Sequence, residues 1–163
     1  MNWLAQLIAP ALARFLARSP RLVSFLIDIA LRSHYVHIKG ADGTTYMERY
    51  WLIKPRAWLP FSTRIHFILR PDSDRALHDH PFAYRTFILD GWYVEEDVFG
   101  KHCLRDSGET VAACAKTFHR IVAVPSEGVT TLFFMGRRTN PWGFIVNDRK
   151  VGWKEYLGVK ESS

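Results

Sequence analysis

A mainly β barrel or sandwich, preceded by N-terminal helices, is the fold the sequence predicts, and three observations predict it. Short segments of alternating character recur from residue 35 onward, separated by Gly- and Pro-bearing turns. No helical periodicity intervenes between them, which excludes a βαβ arrangement. Eleven Phe, six Trp and six Tyr suit a pleated interior, where aromatic side chains pack well. With 48% hydrophobic residues in a 163-residue chain, a substantial core can form, and disorder is excluded.

The elements follow in order. Residues 2–32 read as helix. Leu4, Leu7, Ile8, Ala11, Leu12, Phe15 and Leu16 keep the i, i+3, i+4 rhythm of an amphipathic face. Ser19-Pro20 breaks the run, with Ser19 as N-cap and Pro20 at the first position of a second helix carrying Leu22, Phe25, Leu26, Ile29 and Leu31. Tyr35–Lys39 and Thr45–Ile53 flank a Gly40–Gly43 loop with hairpin chemistry. Arg64–Leu69 is a third strand. Phe82–Leu89 and Trp92–Val98 flank Asp90-Gly91, which reads as a two-residue hairpin turn. Thr117–Val124, Val129–Met135 and Gly143–Asn147 complete the set. The expected organisation is a helical extension over 1–34, a barrel domain over 35–158 and a frayed tail over 159–163, with Lys160–Ser163 loosest.

The formal charge is +6, part of it at Arg14, Arg18, Arg21 and Arg32. No helix-turn-helix, zinc-finger or RNA-binding signature accompanies it, so a solvated basic face is expected rather than a nucleic-acid partner. Arginines interrupt the N-terminal apolar stretch, which therefore lacks a membrane span. Peripheral attachment through these helices, where Trp3 and the arginines suit an interface, is the minor alternative to docking on the domain or on a second subunit as a homodimer. Ala11-Leu12-Ala13 resembles a signal-peptidase site, but no Lys or Arg precedes it. Cys103 and Cys114 form no C-x-x-C pair and read as reduced thiols; together these features predict a cytoplasmic protein.

His78-Asp79-His80-Pro81 carries the chemistry. Imidazoles at i and i+2 of an extended chain point to one side, and neutral imidazole is the commonest ligand for first-row metals. Asp79 then faces away, free to orient an imidazole or to fix the turn at Pro81. Three residues separate His80 from Tyr84, and six separate Tyr84 from Gly91. Downstream, Gly108 and His119 are separated by ten residues.

These two spacings resemble the paired motifs of the cupin superfamily, small double-stranded β-helix barrels that often hold one metal. The resemblance covers residues 64–145. In the first motif Asp72 stands where a Gly is usual and Tyr84 where a Glu is usual. In the second, Cys114, Lys116 and Ala123 stand where Pro, Gly and Asn are usual. The resemblance implies a cupin-type double-stranded β-helix barrel with a divalent metal ion on His78, His80 and His119; Fe(II) is favoured, with Zn, Mn or Ni as alternatives.

Tyr84 is the departure that matters, because a neutral phenol replaces a carboxylate poorly. Either the three histidines hold the metal alone, or a carboxylate arrives from elsewhere. Glu95 is the candidate. With Asp90-Gly91 as a hairpin loop, Glu95 lies opposite Thr86 and diagonal to Tyr84, on the inner face, as ligand or neighbouring base. Tyr84, Tyr93 and Glu95 are the expected catalytic polar groups. Arg49, Arg64 and Arg70 are candidate cations for an anionic substrate. His66 is expected in the core or on the surface, with lining the pocket as the alternative, while His34, His37 and His102 are ordinary surface or loop residues. Asp72, Asp74 and Arg75 read as turn chemistry.

The three-histidine set resembles thiol dioxygenases; a carboxylate-containing set resembles other metal cupins, isomerases and decarboxylases among them. The expected function is a metal-binding cupin, an Fe(II) oxygenase or related enzyme acting on a small molecule. A non-catalytic small-molecule binder and an inert barrel serving assembly are the alternatives. No phosphate loop, dinucleotide fingerprint or Ser/His/Asp set is present.

Overall fold

A computed structural model of the chain describes residues 3–33, 35–40, 42–72 and 75–159. Two helices come first, α1 (Trp3–Ala17) and α2 (Pro20–Leu31). The carbonyl of Ser19 accepts the Val23 amide at 3.0 Å, but its hydroxyl makes no cap; Pro20, with φ already helical, opens α2. Pro10 lies inside α1 without ending it. Its missing amide costs one helical hydrogen bond, so packing of the apolar face carries this helix.

The strands are β1 (Tyr35–Lys39), β2 (Thr45–Ile53), β3 (Ser62–Ile68), β4 (Phe82–Asp90), β5 (Trp92–Asp97), β6 (His102–Asp106), β7 (Thr110–Ala113), β8 (His119–Ala123), β9 (Val129–Arg138), β10 (Gly143–Val146) and β11 (Arg149–Gly152), followed by a short α3 (Trp153–Tyr156). One sheet runs β1-β2-β3-β9-β4-β7; the other contains β6-β5-β8, with the β10-β11 hairpin alongside. Single antiparallel bridges from His78 to His119 and to Phe144 join that hairpin to β8, so the second sheet is continuous through residue 78.

The six-stranded sheet is buried on both faces. Its outer face carries Ile65, Phe87, Leu89 and Leu132, which pack against Ala9, Ala13 and Leu16 of α1 and Ala30 of α2. Its inner face meets the second sheet, where Met47, Ile68 and Ile88 pack with Tyr93 and Ile121. The helices leave Leu7, Ile8, Phe15 and Phe25 exposed on their far side. No helix among the described residues is long and apolar enough to cross a membrane. Cys103 and Cys114 are free thiols.

One expected pairing is overturned. β4 and β5 do not form a hairpin ladder: β4 pairs with β9 and β7, and β5 with β6 and β8. Asp90-Gly91 is a corner that carries the chain from one sheet to the other. The dipeptide reports a positive φ, which corners and hairpins share, and says nothing about which strands pair. Gly91 has φ +78°, and a Cβ there would lie 2.7 Å from the carbonyl oxygen of Gly128. β6, β7, β11 and α3 were not expected from the sequence. Asn147 and Asp148, with φ of 49° and 59°, form the two-residue turn between β10 and β11. The surface reading of His34, the turn reading of Asp74 and the fraying of Lys160–Ser163 fall outside the described residues.

Gly91→Ala is therefore expected to lower the thermal unfolding midpoint. The left-handed backbone alone costs about 1–2 kcal/mol, and the contact with Gly128 adds to it. Gly43→Ala is the control: φ is +79° there and nothing lies within 4 Å of the added carbon, so it should lose less.

Candidate metal centre

The chain from Leu77 to Asp79 is a minimal strand. His78 and His119 exchange both main-chain hydrogen bonds, at 3.0 Å each, and Ile145 and Gly143 bond to Leu77 and Asp79 on the other side. This ladder sets the rings of His78 and His119 side by side, with centroids 5.0 Å apart. The His80 ring lies 5.0 Å from that of His119 and 5.3 Å from that of His78. Each residue offers one ring nitrogen, and the three nitrogens lie within 4.8 Å of one another. Burial holds the His78 and His80 rings well below the usual imidazole range, with the neighbouring His119 and Arg49 acting the same way. Both rings are neutral at neutral pH and keep a lone pair.

His119 is oriented from behind. Its Nδ1 is 2.6 Å from Glu95 Oε1, and Arg105 Nε donates to Glu95 Oε2 at 3.2 Å. Burial opposes charge on Glu95, but the hydrogen bond from His119 and the Arg105 charge outweigh it and hold the carboxyl below its usual range. An ionised Glu95 accepts only, so Nδ1 of His119 carries a proton and Nε2 is the nitrogen turned toward the centre. That Nε2 is 2.7 Å from Nε2 of His80 and 3.4 Å from the Tyr84 hydroxyl. Burial, then the Glu95 charge, pushes the Tyr84 phenol well above its ordinary value, so it stays a neutral donor.

Each residue reaches the centre by strand alternation. Tyr84 and Thr86 share the inner face of β4 with Ile88, while Phe87 and Leu89 face α1. Glu95 points inward from β5 and lies opposite Ile121 of β8, one pleat from His119; Glu96 points the other way and pairs with Arg120 at 2.6 Å. The neighbour of Glu95 is therefore β8, and the expected register against Thr86 and Tyr84 of β4 does not exist. Tyr93, also inward, lines the chamber; burial and the Glu95 charge raise its phenol too.

Asp79 faces away from the rings, as alternation requires. It is fully buried and accepts from Asn140 Nδ2 (2.8 Å), the Gly143 amide (2.7 Å) and Lys150 Nζ (2.5 Å). It thereby pins the β10–β11 hairpin behind the histidines. Asp72 does head a turn, its carbonyl accepting the Arg75 amide at 3.0 Å, but its side chain has a further role: it is 2% exposed, its Oδ1 accepts the Ile121 amide at 2.6 Å, and its Oδ2 lies 3.7 Å from His78 Nδ1. No local signal marks this role, which depends on β8 lying alongside. Asn140 and Lys150 were missed for the same reason.

The rings open into an inner chamber of about 70 Å³ lined by Arg49, Arg64, His66, Asp72, Tyr84, Phe133 and neighbours. An outer vestibule of about 400 Å³ shares Arg49, Arg64, His78 and His80 with it and is walled by Trp142, Phe144 and Trp153. His66, expected in core or surface, is buried and lines the chamber. Arg70 does not: it pairs with Asp42 at 2.7 Å. His37 and His102 are exposed, and His37 lies 3.4 Å from Glu48.

The donor set fits a first-row divalent cation. Three imidazoles converge, one is held by a carboxylate from behind, and the buried Nδ1 of His78 has no hydrogen-bond partner.

No family model matches the chain, and no curated protein does. Solved structures do. A sugar phosphate isomerase of the cupin superfamily from Silicibacter pomeroyi is 15% identical, with a TM-score of 0.54 over 72% of this chain and 78% of that one. A cupin-like protein from Thermotoga maritima is 15% identical, with a TM-score of 0.51 over 78% of this chain and 98% of that one. The iron(II) form of HppE is 16% identical, with a TM-score of 0.52; the match takes in 65% of this chain but 57% of that one, little more than half its length. At such identities the likeness is one of fold. The protein has the cupin fold, a double-stranded β-helix with two helices on its outer face.

Asp79→Ala would leave Lys150 and Asn140 without their buried acceptor, a loss of about 3–5 kcal/mol by the usual cost of breaking a buried pair. Urea unfolding should show it, while Glu96→Ala, at a half-buried pair, should cost far less.

Proposed function

We propose that the protein is a metal-dependent enzyme acting on a small molecule, with a divalent cation held by His78, His80 and His119. The observation that supports it is the convergence of three imidazoles, their nitrogens within 4.8 Å, at the wall of a mainly apolar chamber. Fe(II) is the favoured metal and an oxygenase the favoured reaction class, with Zn, Mn or Ni serving a non-redox version. When bound, Fe(II) on a three-histidine set supplies redox chemistry with coordination positions left open for O₂ and substrate.

The chain's own residues do the rest. Glu95 is a positioning residue: both its oxygens are engaged, by His119 and Arg105, so it fixes the tautomer and angle of His119 and takes no proton itself. Tyr84 stands where a fourth protein ligand would come in, and as a neutral phenol it donates a hydrogen bond toward the reacting group. Tyr93 closes the chamber floor beside Ile121. Phe133, Met135 and Phe82 exclude water from the reacting atoms. The fold neighbours include a protein described in its iron(II) form and a sugar phosphate isomerase, which supports a catalytic use of this barrel.

A second reading rests on one distance. At 2.7 Å, the Nε2 atoms of His80 and His119 share a hydrogen bond, which a metal-free small-molecule binder would retain.

Elemental analysis of the purified protein decides between them. Wild type should carry close to one equivalent of metal and His80→Ala a small fraction of it; equal content in both would remove the proposed centre. Glu95→Gln should keep the metal but weaken its affinity about 10–100-fold, the usual effect of losing a carboxylate behind a ligating histidine. Oxygen uptake by the iron-loaded protein with thiols and oxo acids then tests the oxygenase assignment.

A further inference from the structure

Two guanidinium groups in the chamber wall lack a carboxylate partner. Arg49 and Arg64 face inward from β2 and β3, where the register sets Arg49 opposite His66 and Arg64 opposite Trp51. The Arg64 guanidinium lies 3.8 Å over the Trp51 ring. Arg49 Nε reaches Met47 Sδ at 3.3 Å, and the group also has the Tyr46 side chain as a hydrogen-bond partner and Asp72 as a nearby charge, but no carboxylate within ion-pair distance. Among the described residues, neither arginine forms an ion pair with Asp or Glu. Asp72, the acidic residue in the inner lining, commits Oδ1 to the Ile121 amide.

His66 adds to the imbalance. It is 6% exposed, stacked on Phe133 with centroids 4.6 Å apart, and its buried Nε2 has no partner. Burial, then the charges of Arg49 and Arg64, holds this ring well below the usual imidazole range, which marks all three groups as mutual neighbours. Arg64, brought down to about 10 by burial and by Arg49, still carries its charge at neutral pH. Partly buried cations held close together, with one carboxylate nearby that is committed to a backbone amide, are costly unless a ligand brings a further anion.

We propose that Arg49, Arg64 and His66 form an anion subsite that recognises the substrate through a carboxylate group. The inference rests on the function proposed above only in taking this chamber as the reaction site; the subsite itself stands on the arginines. A planar carboxylate can accept two parallel hydrogen bonds from a guanidinium fork. The inner lining has neither a lysine nor a glycine-rich turn to cradle a tetrahedral phosphate, and at about 70 Å³ it suits a small acid. The remainder of the molecule would extend into the aromatic vestibule beside Trp142 and Phe144.

Thermal-shift and calorimetric titrations of the metal-loaded protein with pyruvate, propanoate and benzoate, with their primary amides, and with inorganic phosphate test this. Carboxylates should bind and raise the midpoint, amides should bind at least about tenfold more weakly, and phosphate should bind no better than the amides. Arg64→Met and Arg49→Met should each weaken carboxylate binding about 10–100-fold. Metal content is measured on every variant and should match wild type in Arg64→Met. Full metal content with no carboxylate binding by wild type overturns the subsite and leaves the metal centre standing. So does binding that is unchanged in both arginine variants, or tighter binding of phosphate. Loss of metal in His80→Ala with carboxylate binding retained upholds the subsite. Wild type that holds no metal yet binds carboxylates through the arginines upholds the subsite and removes the proposed enzyme.

Discussion

Two reciprocal main-chain hydrogen bonds, His78 to His119 and back at 3.0 Å, hold the most consequential contact in this protein. They join residues far apart in the chain, and they do two things at once. They close the second sheet, because among the described residues it is residue 78 that bridges β8 to β10. They also fix the separation of two imidazoles to that of facing residues on neighbouring strands, a distance that backbone geometry sets and side chains cannot vary much. His80 then joins from two residues on, where the pleat returns to the same face. The ring cluster is thus a by-product of sheet closure, and anything that loosens the sheet at residue 78 loosens the centre.

The opposite face of the same three residues explains why the segment stays extended. Asp79 is sealed from solvent and gathers an amide, a side-chain amide and an ammonium. A buried carboxylate with that many donors is tolerated; one with fewer is not. Its partners come from the 140–143 loop and from β11, so one aspartate ties the histidine strand to the hairpin that walls the vestibule. Stacking of Trp142 on Trp153, with rings 6° from parallel, and of Phe144 on Tyr156 continues that wall into α3. Centre, strand and vestibule are thereby one packed unit.

Much of this was legible in the chain. Alternation over Phe82–Leu89 and the i and i+2 histidines depend on local periodicity, and local periodicity survives folding; His119 was joined to them by the resemblance of the paired motif spacings. What failed was pairing. Asp90-Gly91 has the chemistry of a tight turn, yet the φ that Gly91 supplies serves equally well to turn a corner between sheets, and only the closed barrel decides which. Glu95 was assigned to the inner face by a register that does not exist. The parity argument still placed it inward, because parity along β5 does not depend on which strand lies alongside. Asp72, Asn140 and Lys150 were illegible for a different reason: their roles consist of contacts with Ile121 and Asp79, 49, 61 and 71 residues away in the chain. Asp72 looked like a turn aspartate because in isolation that is the commoner use of the residue.

The charge of the chamber draws these threads together. Tyr84 occupies the place where a carboxylate would bring a negative charge against the rings, and burial keeps its phenol neutral. Glu95 is ionised, but it stands behind His119 and spends its charge on that ring and on Arg105. Asp72 is turned toward the Ile121 amide, and burial raises its carboxyl. The acidic groups described near the rings are thus engaged elsewhere or held back by burial, while Arg64 has no carboxylate partner and Arg49 has only the Tyr46 hydroxyl and the more distant charge of Asp72. A divalent cation on the histidines would add to that excess. A folded chain seldom leaves a low-dielectric cavity so unbalanced without use. The replacement of a carboxylate by Tyr84 and the presence of the two arginines thus act in one direction: both make the cavity a better host for a negatively charged guest than for a neutral one.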